Sequence, residues 1–263
     1  MKLTIIGAGN MGSAIACGLG NSELMNGLEI WCSDLMPEKL KLIKETNASI
    51  EVTTNNIIAV KDAAIVIIAV KPWLVETIIH EIKEVLDYDR QLIVSIAAGI
   101  DFEKLRRYLK KEDDRIPALF RIMPNTAIAV KESVNFVSAF HATPAQSDLI
   151  QNIFDQLGMT FIIEERLMAA GTALASCGIA YAFRYIRAAV VGAIELGIGP
   201  ELAQKIVMQT LRGAVTLLET NGSHPEVEID KVTTPGGITI KGLNAMEEAG
   251  FSNAVIKGLK ASV

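Results

Sequence analysis

Lys2-Leu3-Thr4-Ile5-Ile6-Gly7-Ala8-Gly9-Asn10-Met11-Gly12 joins a short apolar strand, Leu3–Ile6, to a G-x-G-x-x-G turn and then to a helical pattern over Met11–Leu19. Each glycine has its own task in such a turn. The first permits the tight bend, the second lets the backbone approach a pyrophosphate, and the third lets helix and strand pack closely. The helix start also leaves N–H groups without intrahelical acceptors, which suits an anion. A glycine turn in some other α/β protein could carry the same letters. Here the strand before it and the helix after it favour dinucleotide binding.

Asp34 ends the next strand candidate, in Trp31-Cys32-Ser33-Asp34. A carboxylate there can accept hydrogen bonds from an adenosine ribose and repels a 2′-phosphate, so NADH is slightly favoured over NADPH. No arginine stands beside it, although Lys39 and Lys41 are near. The competing reading makes Asp34 a helix cap ahead of Pro37.

Outward from this turn, β-branched runs alternate with helical patterns. Strand candidates are Leu3–Ile6, Leu28–Cys32, Ile50–Val52, Ile65–Ala69, Leu92–Ile96, Ala118–Ile122, Asn135–Ser138 and Thr160–Ile163. Helices are expected over Met11–Leu19, Pro37–Lys44, Trp73–Leu86, Phe102–Leu109 and Pro144–Leu157. This alternation predicts an α/β, Rossmann-like, doubly wound and mostly parallel sheet over residues 1–163. Strand signals then stop. Residues 164–263 are expected to form an all-α dimerisation domain, with long helices over Ile179–Leu196 and Pro200–Leu218 and another from Thr239 to Ala249. The first of these is apolar almost all round, its charges being Arg184, Arg187 and Glu195. Such a helix needs cover on several sides. About a hundred residues supply few partners for it, so a homodimer at least is expected, with a higher ring of dimers as the larger alternative.

Bulk properties narrow the function. Half of the residues are hydrophobic and the net charge is −5, while mean hydropathy is +0.34. Without a basic cluster, nothing points to nucleic acid. The longest uncharged stretch, Leu167 to Phe183, falls short of the roughly 20 apolar residues of a spanning helix, so no membrane partner is expected. Glycines interrupt the apolar start too early for a secretory signal, and a cytoplasmic protein is expected. Cys17, Cys32 and Cys177 are too scattered for a disulfide framework, and His80, His141 and His224 for a metal site; no metal is expected.

Four further segments carry a resemblance. They are Ala69-Val70-Lys71-Pro72, Ser95-Ile96-Ala97-Ala98-Gly99, Arg121-Ile122-Met123-Pro124-Asn125-Thr126, and Val232-Thr233-Thr234-Pro235-Gly236-Gly237-Ile238-Thr239-Ile240 with Gly242-Leu243 and Met246-Glu247. In these the chain resembles the pyrroline-5-carboxylate reductases over essentially its whole length. The resemblance implies NAD(P)H-dependent reduction of a small cyclic imino acid, 1-pyrroline-5-carboxylate, to L-proline. It places Ala69, Val70, Lys71, Pro72 and Ala97 along the cofactor beside Gly7–Gly12 and Asp34. Asn56 resembles an asparagine near the adenosine, and can equally cap the helix after Thr54.

The Pro-Gly-Gly turn has a physical reading of its own. It brings backbone N–H groups to a positive helix end, a carboxylate receptor without a side-chain cation. Gly236, Gly237 and Thr239 are expected to supply those amides, with Thr234 and Ile238 completing the substrate loop. The Thr239 hydroxyl is the expected catalytic group, hydrogen-bonded to the imine nitrogen. Alternatively, Thr234 caps the helix and the glycines only turn the chain.

The chain also departs from the family pattern. Ala173-Leu174-Ala175-Ser176-Cys177-Gly178-Ile179-Ala180-Tyr181 lacks two hydroxyls and a proline found there; Ala127 replaces a proline, and Arg187 an acidic residue. A related imine or 3-hydroxyacid reductase on the same plan is the alternative enzyme. A 3-hydroxyacid enzyme is expected to carry a lysine early in the long helix, where Ile179–Leu196 has none. A non-catalytic dinucleotide-binding regulator is the alternative from another class.

Overall fold

The computed structural model describes residues 1–22, 27–112 and 115–263. The strands are β1 Lys2–Ile6, β2 Glu29–Ser33, β3 Glu51–Thr53, β4 Ile65–Ile68, β5 Leu92–Ser95, β6 Leu119–Met123, β7 Ser133–Phe140 and β8 Gly158–Ile162. Every expected strand is present, with ends moved by one or a few residues. Between them lie α1 Asn10–Gly20, α2 Pro37–Thr46, α3 Asn56–Val60, α4 Val75–Ile82, α5 Phe102–Leu109 and α6 Pro144–Asp155. The short α3 is not expected from periodicity, because five residues complete little more than one turn.

The strands form one sheet in the order β3-β2-β1-β4-β5-β6-β7-β8. β1 to β6 run parallel, β7 is antiparallel to β6, and β8 is parallel to β7. The order 3-2-1-4-5-6 is that of a doubly wound dinucleotide-binding sheet, whose ligand crevice opens where the winding reverses. That reversal lies between β1 and β4, just where Gly7 follows β1.

Helices on both faces explain why the central strands are apolar without alternation. Ile65 and Ile67 enter one core cluster with Ile15 and Leu19 of α1 and Phe154 of α6. Val66 and Ile68 enter the opposite one with Ile79 and Ile82 of α4 and Leu105 of α5. Burying each such side chain contributes about 1.5–3 kcal/mol. At the far end of this unit, Thr143 and Gln146 close α6 with a reciprocal capping box.

The chain divides into two compact units, Met1–Ser176 and Cys177–Val263. A helical run, Glu165–Glu195, contains α7 Met168–Gly171, a π-helical turn Thr172–Cys177 and α8 Gly178–Glu195. By length and composition this run, longer than the uncharged stretch within it, is long and apolar enough to cross a membrane, and 6% of its most apolar window is buried in the single chain. The second unit continues with α9 Pro200–Asn221, α10 Pro225–Val232, α11 Ile238–Glu248 and α12 Phe251–Lys260. Of these, α10 and α12 were not expected. The first is short and acidic, but α12 carries Phe251, Val255, Ile256 and Leu259 at helical spacing. α8 and α12 are joined by the Tyr181 hydroxyl, which donates to the Gly258 carbonyl at 3.2 Å, and by Tyr185 against Phe251. Among the described residues of this unit, the buried apolar side chains are Val190 and Ala203.

Candidate active site

At the β1–α1 turn each glycine does something different. Gly7 has φ +107°, and a Cβ there would lie 2.7 Å from the Ala69 carbonyl oxygen. On Gly12 a Cβ would lie 1.9 Å from the Gly7 carbonyl oxygen. These two are required by the packing of the chain itself. Gly9 is not: its extended backbone starts α1 without a side-chain cap, and nothing lies within 4 Å of an added Cβ. The fold leaves this face bare, over N–H groups of Asn10 and Met11 that the helix cannot satisfy. The space and the donors fit a pyrophosphate.

Neighbouring strand ends frame this turn. Ala69 and Val70 lie against Gly7 and Gly12, and Lys71 and Pro72 open the short 3₁₀ turn Pro72–Leu74 with Lys71 exposed. The Ile96 N–H donates to Ile68 across β4 and β5, and the buried Ala97 donates its N–H to the Ser95 hydroxyl at 3.3 Å. Gly7–Gly12, Ala69–Pro72 and Ala97 thus lie together along the carboxyl edge of the sheet.

Asp34 stands at the same edge and is held from within. Its Oδ2 accepts the Ala8 N–H at 2.8 Å and its Oδ1 the Met36 N–H at 2.9 Å. Lys39 Nζ is 3.4 Å from Oδ2. The N-cap of α2 is Met36; Asp34 shapes the turn before it. Behind it, burial, with the Asp34 charge adding to it, pushes the Cys32 thiol up to about 12. The helix cap at α3 is Asn55, which accepts the Ile58 N–H at 3.1 Å. Asn56 is buried instead, accepting from the Ser33 hydroxyl at 2.7 Å and donating to Glu81 at 2.9 Å.

Two connections escaped sequence reasoning. Arg121 on β6 is buried, and its Nη1 donates to Glu165 Oε1 at 2.6 Å. The same oxygen accepts the Phe102 N–H at 2.7 Å, tying the start of α5 to the start of the long helical run. A lone arginine inside an apolar strand signals such a partner, since buried charge needs pairing; which acid answers it is a tertiary matter. The second connection holds the π turn: Ser176 Oγ donates to the Pro124 carbonyl at 3.0 Å, and Asn125 Nδ2 to the Ala175 carbonyl at 3.5 Å. The segment that departs from the family pattern is therefore the one that leaves regular α-helix, a feature frequent near functional sites.

In the second unit, Thr234, Pro235, Gly236 and Gly237 form one tight turn leading into α11. The Gly237 N–H donates to the Thr234 carbonyl at 2.9 Å. Gly236 has φ +73°, as a Pro-Gly type II turn requires. A Cβ on Gly237 would lie 2.5 Å from Thr234 Oγ1. The helix starts at Gly237 without a side-chain cap, so Thr234 leaves the first N–H groups of α11 to other partners. Ile238 is 87% exposed and Thr239 is exposed beside it.

Comparison with known proteins gives a consistent result. Residues 2–99 match a family described as NADP oxidoreductase, coenzyme F420-dependent. Residues 165–263 match one described as pyrroline-5-carboxylate reductase dimerisation. Pyrroline-5-carboxylate reductase 1 of Dictyostelium discoideum is 39% identical over 99% of the chain, which spans about half, 48%, of that relative. Pyrroline-5-carboxylate reductase 2 of the same organism is 36% identical, covering 99% of the chain and 90% of the relative. The crystal structure of Plasmodium falciparum pyrroline carboxylate reductase with NADP bound superposes with a TM-score of 0.87 at 25% identity, covering 100% of this chain and 95% of that one. With a relative matched almost end to end and both units accounted for, the chain belongs to the pyrroline-5-carboxylate reductase family.

Proposed function

We propose that this chain reduces 1-pyrroline-5-carboxylate to L-proline with a nicotinamide dinucleotide held on the Gly7–Gly12 loop and the imino acid held on the turn before α11. The observation that carries the reading is the bare face of Gly9: Gly7 and Gly12 are glycines because the chain needs them, and Gly9 is free for a ligand. A relative of the same fold was solved with NADP bound, which supports this use of the loop.

When bound, the dinucleotide supplies the hydride, and the protein supplies orientation and charge placement. The amides of Asn10 and Met11 meet the pyrophosphate, while Ala69, Val70, Lys71, Pro72 and Ala97 border the nicotinamide half. Asn56, through Ser33, steadies the end of β2 near the adenosine. On the substrate side, the Gly237 N–H is engaged by Thr234. The carboxylate is therefore assigned to the amides of Gly236, Ile238 and Thr239, at the positive end of α11. Thr239 Oγ1 hydrogen-bonds the ring nitrogen, holding a proton there, since an iminium carbon accepts hydride better than a neutral imine. No general base is needed in this direction.

The α8 and α9 faces left open in one chain, with Phe183, Val191, Ile206 and Val215 exposed, are assigned to a second copy. This is the span matched by the dimerisation family. A homodimer is the basic assembly, and we assign it to the cytoplasm, where the three thiols stay reduced.

The test is to incubate purified chain with pyrroline-5-carboxylate and NADH or NADPH, following loss of reduced cofactor and formation of proline together. Stoichiometric proline supports the reading. Dinucleotide binding without proline would favour a regulator.

A further inference from the structure

A carboxylate offers about four lone-pair sites, and Asp34 meets the cofactor site with three of them engaged. The Ala8 and Met36 amides take one each, at 2.8 and 2.9 Å, and the Lys39 ammonium faces a third at 3.4 Å. Giving up either amide would strand a backbone donor in the glycine loop or at the α2 turn. The contact that can be exchanged is Lys39. A ribose diol that takes both Asp34 oxygens has to displace the ammonium, whereas a phosphate monoester would bind the ammonium itself.

Lys39 is placed for the second event. Its side chain is 38% exposed against 12% for Asp34. It lines a hollow of about 280 Å³ with Ala8, Gly9, Asn10 and Ser13, beside the glycine loop. Its charge also opposes that of Asp34 at short range, which weakens the repulsion expected to turn away a 2′-phosphate.

We propose that Lys39 is a specificity-determining residue that receives the 2′-phosphate of NADP(H), and that Asp34 shapes the glycine loop while holding Lys39 in place. This rests on the assignment of the Gly7–Gly12 loop to a dinucleotide. The slight preference for NADH drawn from Asp34 in the sequence is thereby reversed.

Calorimetric titration of the full chain with NADP⁺ and NAD⁺ separately tests it. Lys39→Met is expected to weaken NADP⁺ about tenfold or more, a charge-assisted contact's share, and to leave NAD⁺ within about twofold. Lys39→Arg is expected to keep NADP⁺ binding. Equal weakening of both dinucleotides, or unchanged NADP⁺ binding, would overturn the assignment. Because losing Lys39 also bares Asp34, the double variant Asp34→Asn/Lys39→Met is decisive. NADP⁺ binding that stays weak supports direct contact, and binding that returns to the wild-type value shows that Lys39 only masked Asp34, which overturns it. A wild-type chain that binds NAD⁺ but not NADP⁺ removes the Lys39 assignment alone. One that binds neither removes the glycine-loop reading itself.

Discussion

Gly12 has no room for a methyl group, because the Gly7 carbonyl already occupies that space, whereas Gly236 and Gly242 look onto open space. The same contrast separates the two units. In the first, the sheet is covered on both faces by its own helices, and the turn at its carboxyl edge is shaped by contacts within the chain. In the second, long apolar helices bury almost nothing, and α11 starts without a side-chain cap after a turn whose Gly237 N–H alone is taken, by Thr234. One unit is packed from within, with the proposed dinucleotide site on its rim. The other leaves apolar helix faces open in the single chain, over the span that matches a dimerisation family.

The sharpest way to break this contrast is at Gly12. Gly12→Ala is expected to cost about 3–4 kcal/mol, as forced backbone overlap does, and to abolish dinucleotide binding. Gly9→Ala in the same turn should melt with the wild type yet bind NAD(P)⁺ about tenfold more weakly, the equivalent of ~1.4 kcal/mol. Thermal melting beside calorimetry distinguishes them. Equal loss of stability in both would mean that Gly9, too, serves packing.

Next in size is the open face of the second unit. Ile206→Asp with Val215→Asp should shift sedimentation from oligomer to monomer and remove about 3 kcal/mol of apparent stability, while wild-type melting rises with protein concentration. Melting independent of concentration, with monomers throughout, would make that unit self-sufficient after all. Thr239→Ala then addresses the proposed catalytic turn. Turnover is expected to fall about 100-fold, or ~2.7 kcal/mol, with cofactor affinity kept; an unchanged kcat would remove Thr239 from the chemistry.

The smallest effect belongs to the first unit's interior. The Cys32 thiol is raised to about 12 by burial and by the Asp34 charge, above the 9.0 of a free thiol. The folded state thus keeps a proton that the unfolded chain loses. Stability from this group is full below pH 9.0 and falls from there towards about pH 12, by up to ~1.4 kcal/mol per pH unit. Denaturant melts of wild type and Cys32→Ala between pH 8 and 10.5 check it. Parallel pH curves would show that Cys32 is not the source.

What could be read before folding follows the local physics. Apolar runs of four or five residues announce buried strands, and β4, β5 and β6 are where that pattern puts them, because both faces of a central strand demand apolar side chains. The glycine motif is legible because φ, close approach and helix packing each exclude a Cβ at a specific letter. α12 is legible from its plainly helical spacing, while α3 and α10 are too short to show a period.

Other features became decidable only in three dimensions. Arg121 announced a need for an acid without naming Glu165, 44 positions away. Asn56 could be a cap or a ligand contact until Asn55 took the cap and Ser33 and Glu81 took Asn56. Asp34 could be a ribose acceptor or a helix cap until Met36 took the cap and Ala8, Met36 and Lys39 closed around the carboxylate. Residue types and periods along the chain were enough to settle the strands, the longer helices of the first unit, and α8, α9 and α11, since these answer to neighbours a few positions apart. The partners of each charged and polar group depended on the folded chain, because hydrogen bonds and ion pairs join whatever the packing of distant segments brings within about 3 Å.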